Sequence, residues 1–142
     1  MISRIVLADD HPIVRQGLRT LLESQPEFQV VGEAENGLTA ISLVEQLKPD
    51  ILILDIMMPG LNGLEVVKRV RQNTPQTQVV VLSLHSNEPY VLEALRSGAA
   101  AYVLKASSNA SLIEAVKAVS LGRHYLSPPL SERAIELYIE QA

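Results

Sequence analysis

An α/β chain built on a five-stranded parallel sheet with helices on both faces is the fold class this sequence predicts. Two observations carry the prediction. Four short runs, Ile5-Val6-Leu7-Ala8, Ile51-Leu52-Ile53-Leu54, Val79-Val80-Val81-Leu82 and Ala101-Tyr102-Val103-Leu104, are continuously apolar instead of alternating, as strands buried on both faces of a parallel sheet must be. Between them lie segments whose apolar residues recur at helical spacing. Strand and helix therefore alternate, and right-handed crossovers place helices on both sides of one sheet.

The elements follow in order. Ile5 to Ala8 is the first strand, and Pro12 opens a helix carrying Val14, Leu18, Leu21 and Leu22 on one face. A weaker run, Phe28 to Val31, predicts an edge strand closed by Gly32-Glu33. Ala40, Ile41, Val44 and Leu47 form the second helix, which stops before Pro49 and the run at Ile51. Asn62-Gly63 marks a turn, after which Leu64, Val67 and Val70 form the third helix. Val91, Ala94 and Leu95 form the fourth, ended by Gly98, and Leu112, Ala115, Val116 and Val119 the fifth, ended by Gly122. Five strands and five helices in this sequence take the flavodoxin-like order 2-1-3-4-5. Tyr125-Leu126-Ser127-Pro128-Pro129 reads as a break, and Leu130, Ala134, Leu137 and Tyr138 then recur as a short appended helix. The expected organisation is one domain over residues 1–122, with a linker and appended helix over 123–142.

Composition narrows the function classes. The 142 residues are 47% hydrophobic with one Phe and no Trp, which predicts an aliphatic core in a single domain. There is no cysteine, which excludes disulfides, thiolate metal sites and a cysteine nucleophile, and suits a reducing cytosol. The N-terminus lacks signal-peptide order, and no apolar run approaches the roughly 20 residues of a membrane helix. A soluble cytoplasmic protein without membrane contact is expected. A net charge of −4 argues against nucleic-acid binding by this stretch, because neutralising phosphates needs a basic face.

In open α/β sheets, ligands bind beyond the carboxyl ends of the strands. The residues there are Asp9-Asp10, Asp55, Ser83 and Lys105: three carboxylates, a hydroxyl and an ammonium on one mouth, with Glu33 on the edge strand away from it. Carboxylates so gathered repel one another unless a cation enters. With oxygen donors alone, a hard ion is favoured, and Mg²⁺, which binds few carboxylates and keeps positions open for phosphate, suits Asp9, Asp10 and Asp55. Lys105 and Ser83 would meet the remaining phosphoryl charge. Aspartate can itself be phosphorylated, and Asp55, central in the sheet order, is the acceptor candidate.

These residues resemble a known family. Ala8-Asp9-Asp10-His11-Pro12, Asp55-Ile56-Met57-Met58-Pro59-Gly60-Leu61-Asn62-Gly63, Ser83-Leu84-His85 and Ala101-Tyr102-Val103-Leu104-Lys105 are similar to the motifs of receiver domains of two-component response regulators. The resemblance covers roughly residues 3–122. Its flavour is that of regulators whose receiver precedes a helix-turn-helix DNA-binding domain of the NarL/FixJ (LuxR-type) kind. It implies that Asp55 takes a phosphoryl group from a sensor histidine kinase, with Mg²⁺ held by Asp9, Asp10, Asp55 and the main-chain carbonyl of Met57. It further implies that Ser83 and Lys105 contact the phosphate, and that Ser83 and Tyr102 form the switch. Met57 and His85 fall where family members tune dephosphorylation; Met57 has no group to orient a water, whereas His85 has. A homodimer on phosphorylation, and DNA binding through an output domain outside this chain, complete what the resemblance implies. Many members carry Pro after the lysine, but Ala106 follows Lys105 here. A cis bond there would cost about 2.5–4 kcal/mol, and both isomers stay open. The segment after Pro128-Pro129 belongs either to a receiver cut at its linker or to one that stands alone.

Blander readings compete. Asp9-Asp10 could be an acidic pair at a helix start and Asp55 a turn residue, but their register with Lys105 favours the site. His11 and His85 read as loop or capping histidines, and Tyr102 serves packing as readily as switching. A Mg²⁺-dependent phosphohydrolase would need a cap this chain has little length to build. A nucleotide or flavin module would want a Gly-rich phosphate loop where Asp9-Asp10 stands. A receiver fold used only for dimerisation would not need Asp55 and Lys105. The expected protein is a switch without turnover of a free substrate, with Mg²⁺-dependent self-phosphorylation and slow self-dephosphorylation.

Overall fold

The computed structural model describes residues 2–58, 60–84, 88–105 and 109–127. Strands and helices alternate: β1 (Ser3–Ala8), α1 (Pro12–Glu23), β2 (Phe28–Ala34), α2 (Gly37–Leu47), β3 (Ile51–Asp55), α3 (Gly63–Asn73), β4 (Gln78–Ser83), α4 (Glu88–Arg96), β5 (Ala101–Leu104), α5 (Asn109–Ser120) and β6 (Tyr125–Leu126). The sheet order is β2-β1-β3-β4-β5-β6 with every pair parallel. This is the doubly wound order expected, with one short strand added at the edge.

The continuous apolar runs are explained by the two cores. Side chains alternate across a strand, so Val6, Leu52, Leu54, Val79 and Val81 pack against Ala40 and Val44 of α2, Val66 and Val70 of α3 and Ala94 and Leu95 of α4. Their neighbours Ile5, Leu7, Ile51, Ile53 and Val80 pack on the opposite face against Leu22 of α1 and Leu112, Ala115 and Val116 of α5. Neither face of the central strands meets water, which is why no polar residue interrupts them before the site.

Two expectations are corrected. Tyr125-Leu126, expected as part of a break, forms β6: Tyr125 N–H donates to Ala100 O at 3.2 Å and Ser127 N–H to Tyr102 O at 3.1 Å. Two residues carry no readable period, and pairing here is driven by the open edge of β5. Gly32, expected to close β2, lies inside it, opposite Val6, where the register skips Val31. A Cβ at Gly32 would stand 3.1 Å from Leu47 Cδ1, so glycine admits α2 at an irregular step of the ladder rather than ending the strand. The expected appended helix beyond Pro128 lies outside the described residues. No helix among the described residues is long and apolar enough to cross a membrane.

Candidate functional site

The strand ends deliver the site. Asp9 follows β1 and is fully buried; its Oδ1 accepts from His11 N–H at 2.8 Å, an Asx-type turn, and its own N–H donates to Ala34 O at 3.1 Å. Asp55 ends β3 at 1% exposure. Its Oδ1 accepts from Met57 N–H at 3.0 Å and its Oδ2 from Lys105 Nζ at 2.9 Å. Lys105 Nζ also stands 3.4 Å from Asp9 Oδ2, and its backbone N–H donates to Ser83 O at 2.8 Å. Asp9, Asp55 and Lys105 thus continue the rows of Leu7, Ile53 and Val103, which share one face of the sheet, and the register of three parallel strands brings them together.

Asp10 joins from the first residue beyond Asp9. One ligand atom from each of Asp9, Asp10, His11 and Asp55 lies within 4.8 Å of the others. Among the described residues, Asp9 Oδ2 and Asp10 Oδ1 are buried side-chain oxygens without a hydrogen bond. Two like charges at 4 Å repel by about 4 kcal/mol at an effective dielectric near 20, so one ammonium leaves three carboxylates undercompensated. Three gathered carboxylates, with two buried oxygens that make no hydrogen bond, are what a hard divalent cation requires. The residues fit such an ion.

His11 precedes the first helical residue of α1, but its side chain makes no cap hydrogen bond. Its Nδ1 instead stands 3.1 Å from Asp10 Oδ1 and 3.4 Å from Asp9 Oδ1, with the imidazole largely exposed. The carboxylates attract it away from the helix end.

Burial lowers the Lys105 pKa, but the carboxylates of Asp55 and Asp9 outweigh it and raise the net value above the ordinary 10.5. The ammonium is thereby held charged. Ser83 ends β4, fully buried. It lies in the row of Val79 and Val81, the face to which Tyr102 also belongs, and its side chain is hydrogen-bonded to that of Tyr102. Desolvation pushes the Tyr102 phenol up to about 12, the Ser83 hydrogen bond opposing and Tyr90 adding to the rise. The structure therefore unites Asp9, Asp10, Asp55 and Lys105 directly, and joins Ser83 to them through the Lys105 backbone and to Tyr102 through its hydroxyl. Met57 lies on the loop after β3 with its N–H on Asp55. His85 and Ala106, and with Ala106 the isomer of the Lys105–Ala106 bond, lie outside the described residues.

The sequence reading did not foresee Arg15, whose Nη1 donates to the Asp9 carbonyl at 2.7 Å. It also left Glu33 without a role. Glu33 stays out of the carboxylate cluster, as expected of the edge strand, but accepts from Arg15 Nε at 3.0 Å. The available signal was Arg15 and Arg19 at i, i+4 on α1, a basic face that needs an acidic partner.

Residues 5–117 match the family of the response regulator receiver domain. The chain belongs to this family. Among relatives of the receiver, the transcriptional regulatory protein DegU of Brevibacillus brevis is 42% identical over 135 residues, covering 95% of this chain and 57% of DegU. The nitrate/nitrite response regulator NarL of Escherichia coli (strain K12) is 40% identical over 129 residues, 91% of this chain and 60% of NarL. A crystal structure of a LuxR-family two-component response regulator from Aurantimonas sp. SI85-9A1 superposes with a TM-score of 0.90 at 35% identity, covering 98% of this chain and 99% of that one. The receiver thus spans somewhat more than half the length of these two curated relatives. Membership places this receiver among signalling proteins.

Proposed function

We propose that Asp55 accepts a phosphoryl group from a sensor histidine kinase and that the receiver thereby controls a DNA-binding output in the cytoplasm. The observation that carries this reading is the Asp55 carboxylate, buried at the end of a central strand and bonded to Lys105 at 2.9 Å, beside carboxylate oxygens without hydrogen bonds. In the transfer, an Asp55 oxygen forms a bond to phosphorus while the P–N bond to the kinase histidine breaks, the electron pair leaving with the imidazole. Mg²⁺, held by Asp9, Asp10, Asp55 and the Met57 main-chain carbonyl, would supply positive charge against the phosphoryl oxygens.

Lys105, already on Asp55, stays within reach of the new oxygens and stabilises the charge that builds there. The Ser83 hydroxyl turns from Tyr102 to the phosphoryl group, and the freed Tyr102 reports the change across the face of β4, α4 and β5. A bias of a few kcal/mol suffices to shift such a two-state element. Exposed Ile13, Met57 and Leu84 follow the ends of three strands and leave an apolar rim at the mouth, as a docking kinase would use. Met57 and His85 are the positions from which dephosphorylation is tuned. A homodimer forms on phosphorylation, and DNA is bound by an output domain beyond the receiver, consistent with relatives that are longer transcriptional regulators.

The test is intact mass after incubation with a small-molecule phosphodonor and Mg²⁺. A metal-dependent gain of one phosphoryl group, absent in Asp55→Asn, is expected. No gain under conditions that label another receiver would sink the reading, and a gain that persists in the variant would move the acceptor to another residue.

A further inference from the structure

The chain passes from β1 to α1 through Asp9, Asp10 and His11, and one side chain of α1 reaches back to hold that passage. Arg15 Nη1 donates to the Asp9 carbonyl at 2.7 Å, Nε donates to Glu33 Oε1 at 3.0 Å, and Nη2 lies 3.5 Å from Glu35 Oε1. The Arg15 side chain is 14% exposed. Glu33 is itself braced, since its second oxygen accepts from Arg19 Nη1. The Asp9 N–H donates to Ala34 O. The end of β2 therefore grips Asp9 twice, through its N–H directly and through its carbonyl by way of Arg15.

We propose that Arg15 is a positioning residue for cation binding at the Asp9, Asp10 and Asp55 cluster, with Glu33 orienting its guanidinium. The inference rests on reading that cluster as the Mg²⁺ site. The peptide whose carbonyl Arg15 holds is the one that leads into Asp10. Repulsion from Asp9 and Asp55 favours swinging Asp10 out into water, and rotation of that peptide is one route by which its carboxylate leaves. The Arg15 hydrogen bond opposes that rotation and so helps to keep Asp10 Oδ1 turned inward, beside His11 Nδ1 and within the carboxylate cluster that a cation would occupy. A planar fork with donors in three directions meets a carbonyl and two carboxylates at once, which a lysine ammonium on a flexible stem does not. Glu33 and Glu35 offset the guanidinium charge, so the restraint operates without placing an uncompensated cation beside the site. Outer partners that orient ligands commonly alter metal affinity by about 10–100-fold.

The experiment measures Mg²⁺ affinity of the whole chain by isothermal titration calorimetry, for wild type, Arg15→Gln, Arg15→Lys and Glu33→Gln, alongside thermal unfolding without metal and the amide spectrum of Asp10. Arg15→Gln is expected to weaken Mg²⁺ about tenfold or more and to shift the Asp10 amide resonance, whose nitrogen belongs to the peptide that loses its donor. Arg15→Lys recovers part of the loss, and Glu33→Gln, which leaves Arg15 in place, gives a smaller loss in the same direction. If Arg15→Gln does not fold, Glu33→Gln carries the same comparison. Lower melting with unchanged Mg²⁺ affinity in these variants would mean that Arg15 serves the fold alone, and the proposal fails. A wild type that binds no Mg²⁺ removes the cation reading, and this inference with it.

Discussion

Asp9 and Asp55 lie buried beside Lys105, and Asp10 completes a cluster that is short of positive charge. Neutralising one carboxylate should therefore help the metal-free fold. Asp10→Asn is expected to raise its unfolding free energy by about 1 kcal/mol, a pairwise repulsion discounted for partial exposure, as denaturant titration in a chelator would read. Tyr102 makes an alkaline prediction. Its folded pKa, about 12, lies above the ordinary 10.0, and that of Lys105 is also raised. The native state thus holds protons that the unfolded chain gives up, so this stability is intact below pH 10 and is lost as pH rises through the folded values. For Tyr102 the shift corresponds to roughly 3 kcal/mol. Phenolate absorbance during a pH titration should show Tyr102 ionising near pH 12 together with unfolding, and Tyr102→Phe should flatten the fall in stability between pH 10 and 12. An early, independent ionisation of Tyr102 would contradict the burial argument.

At the level of elements, the loop after Asp55 and the edge strand beside the switch are the joints that hold the site. Asn62 caps α3 by accepting from Leu64 N–H at 2.8 Å, so the Asn62-Gly63 pair read as a turn is a helix start as well. A Cβ on Gly63 would stand 2.7 Å from Ile56 O and 2.8 Å from Ile56 Cα, atoms of the backbone next to Asp55 that cannot yield without moving it. Gly63→Ala should cost about 1–3 kcal/mol and slow Asp55 labelling, where an exposed glycine such as Gly17 would tolerate alanine. On the far edge, Leu104 N–H donates to Ser127 Oγ at 2.8 Å. Ser127→Ala leaves that buried amide without its acceptor, a loss of about 1–3 kcal/mol, and hydrogen exchange at Leu104 should accelerate, while Ser127→Thr restores it.

For the whole molecule, cation binding and folding are linked. Mg²⁺ at about a hundredfold above its Kd should add about 2.7 kcal/mol and raise the melting temperature by roughly 5–10 °C, an increment that Asp10→Asn should largely remove; equal melting with and without the ion would count against the cation site. Much of the fold was legible because a parallel sheet buried on both faces forces unbroken apolar strands, and because its ligand mouth lies at the strand ends, where Asp9, Asp10, Asp55 and Lys105 could be picked out by position. The sequence by itself determined the alternating elements, their order and the residues gathered at the mouth. Tertiary structure alone decided three things. Tyr125-Leu126 became a strand because β5 offered an open edge, a cause located in a different segment. Gly32 sits within β2 because α2 crowds it, again from outside its own stretch. Arg15 reaches Asp9 with Glu33 as its anchor because α1 folds back over the end of β2; the i, i+4 spacing of Arg15 and Arg19 announces a basic face, but only the fold supplies its acidic partner.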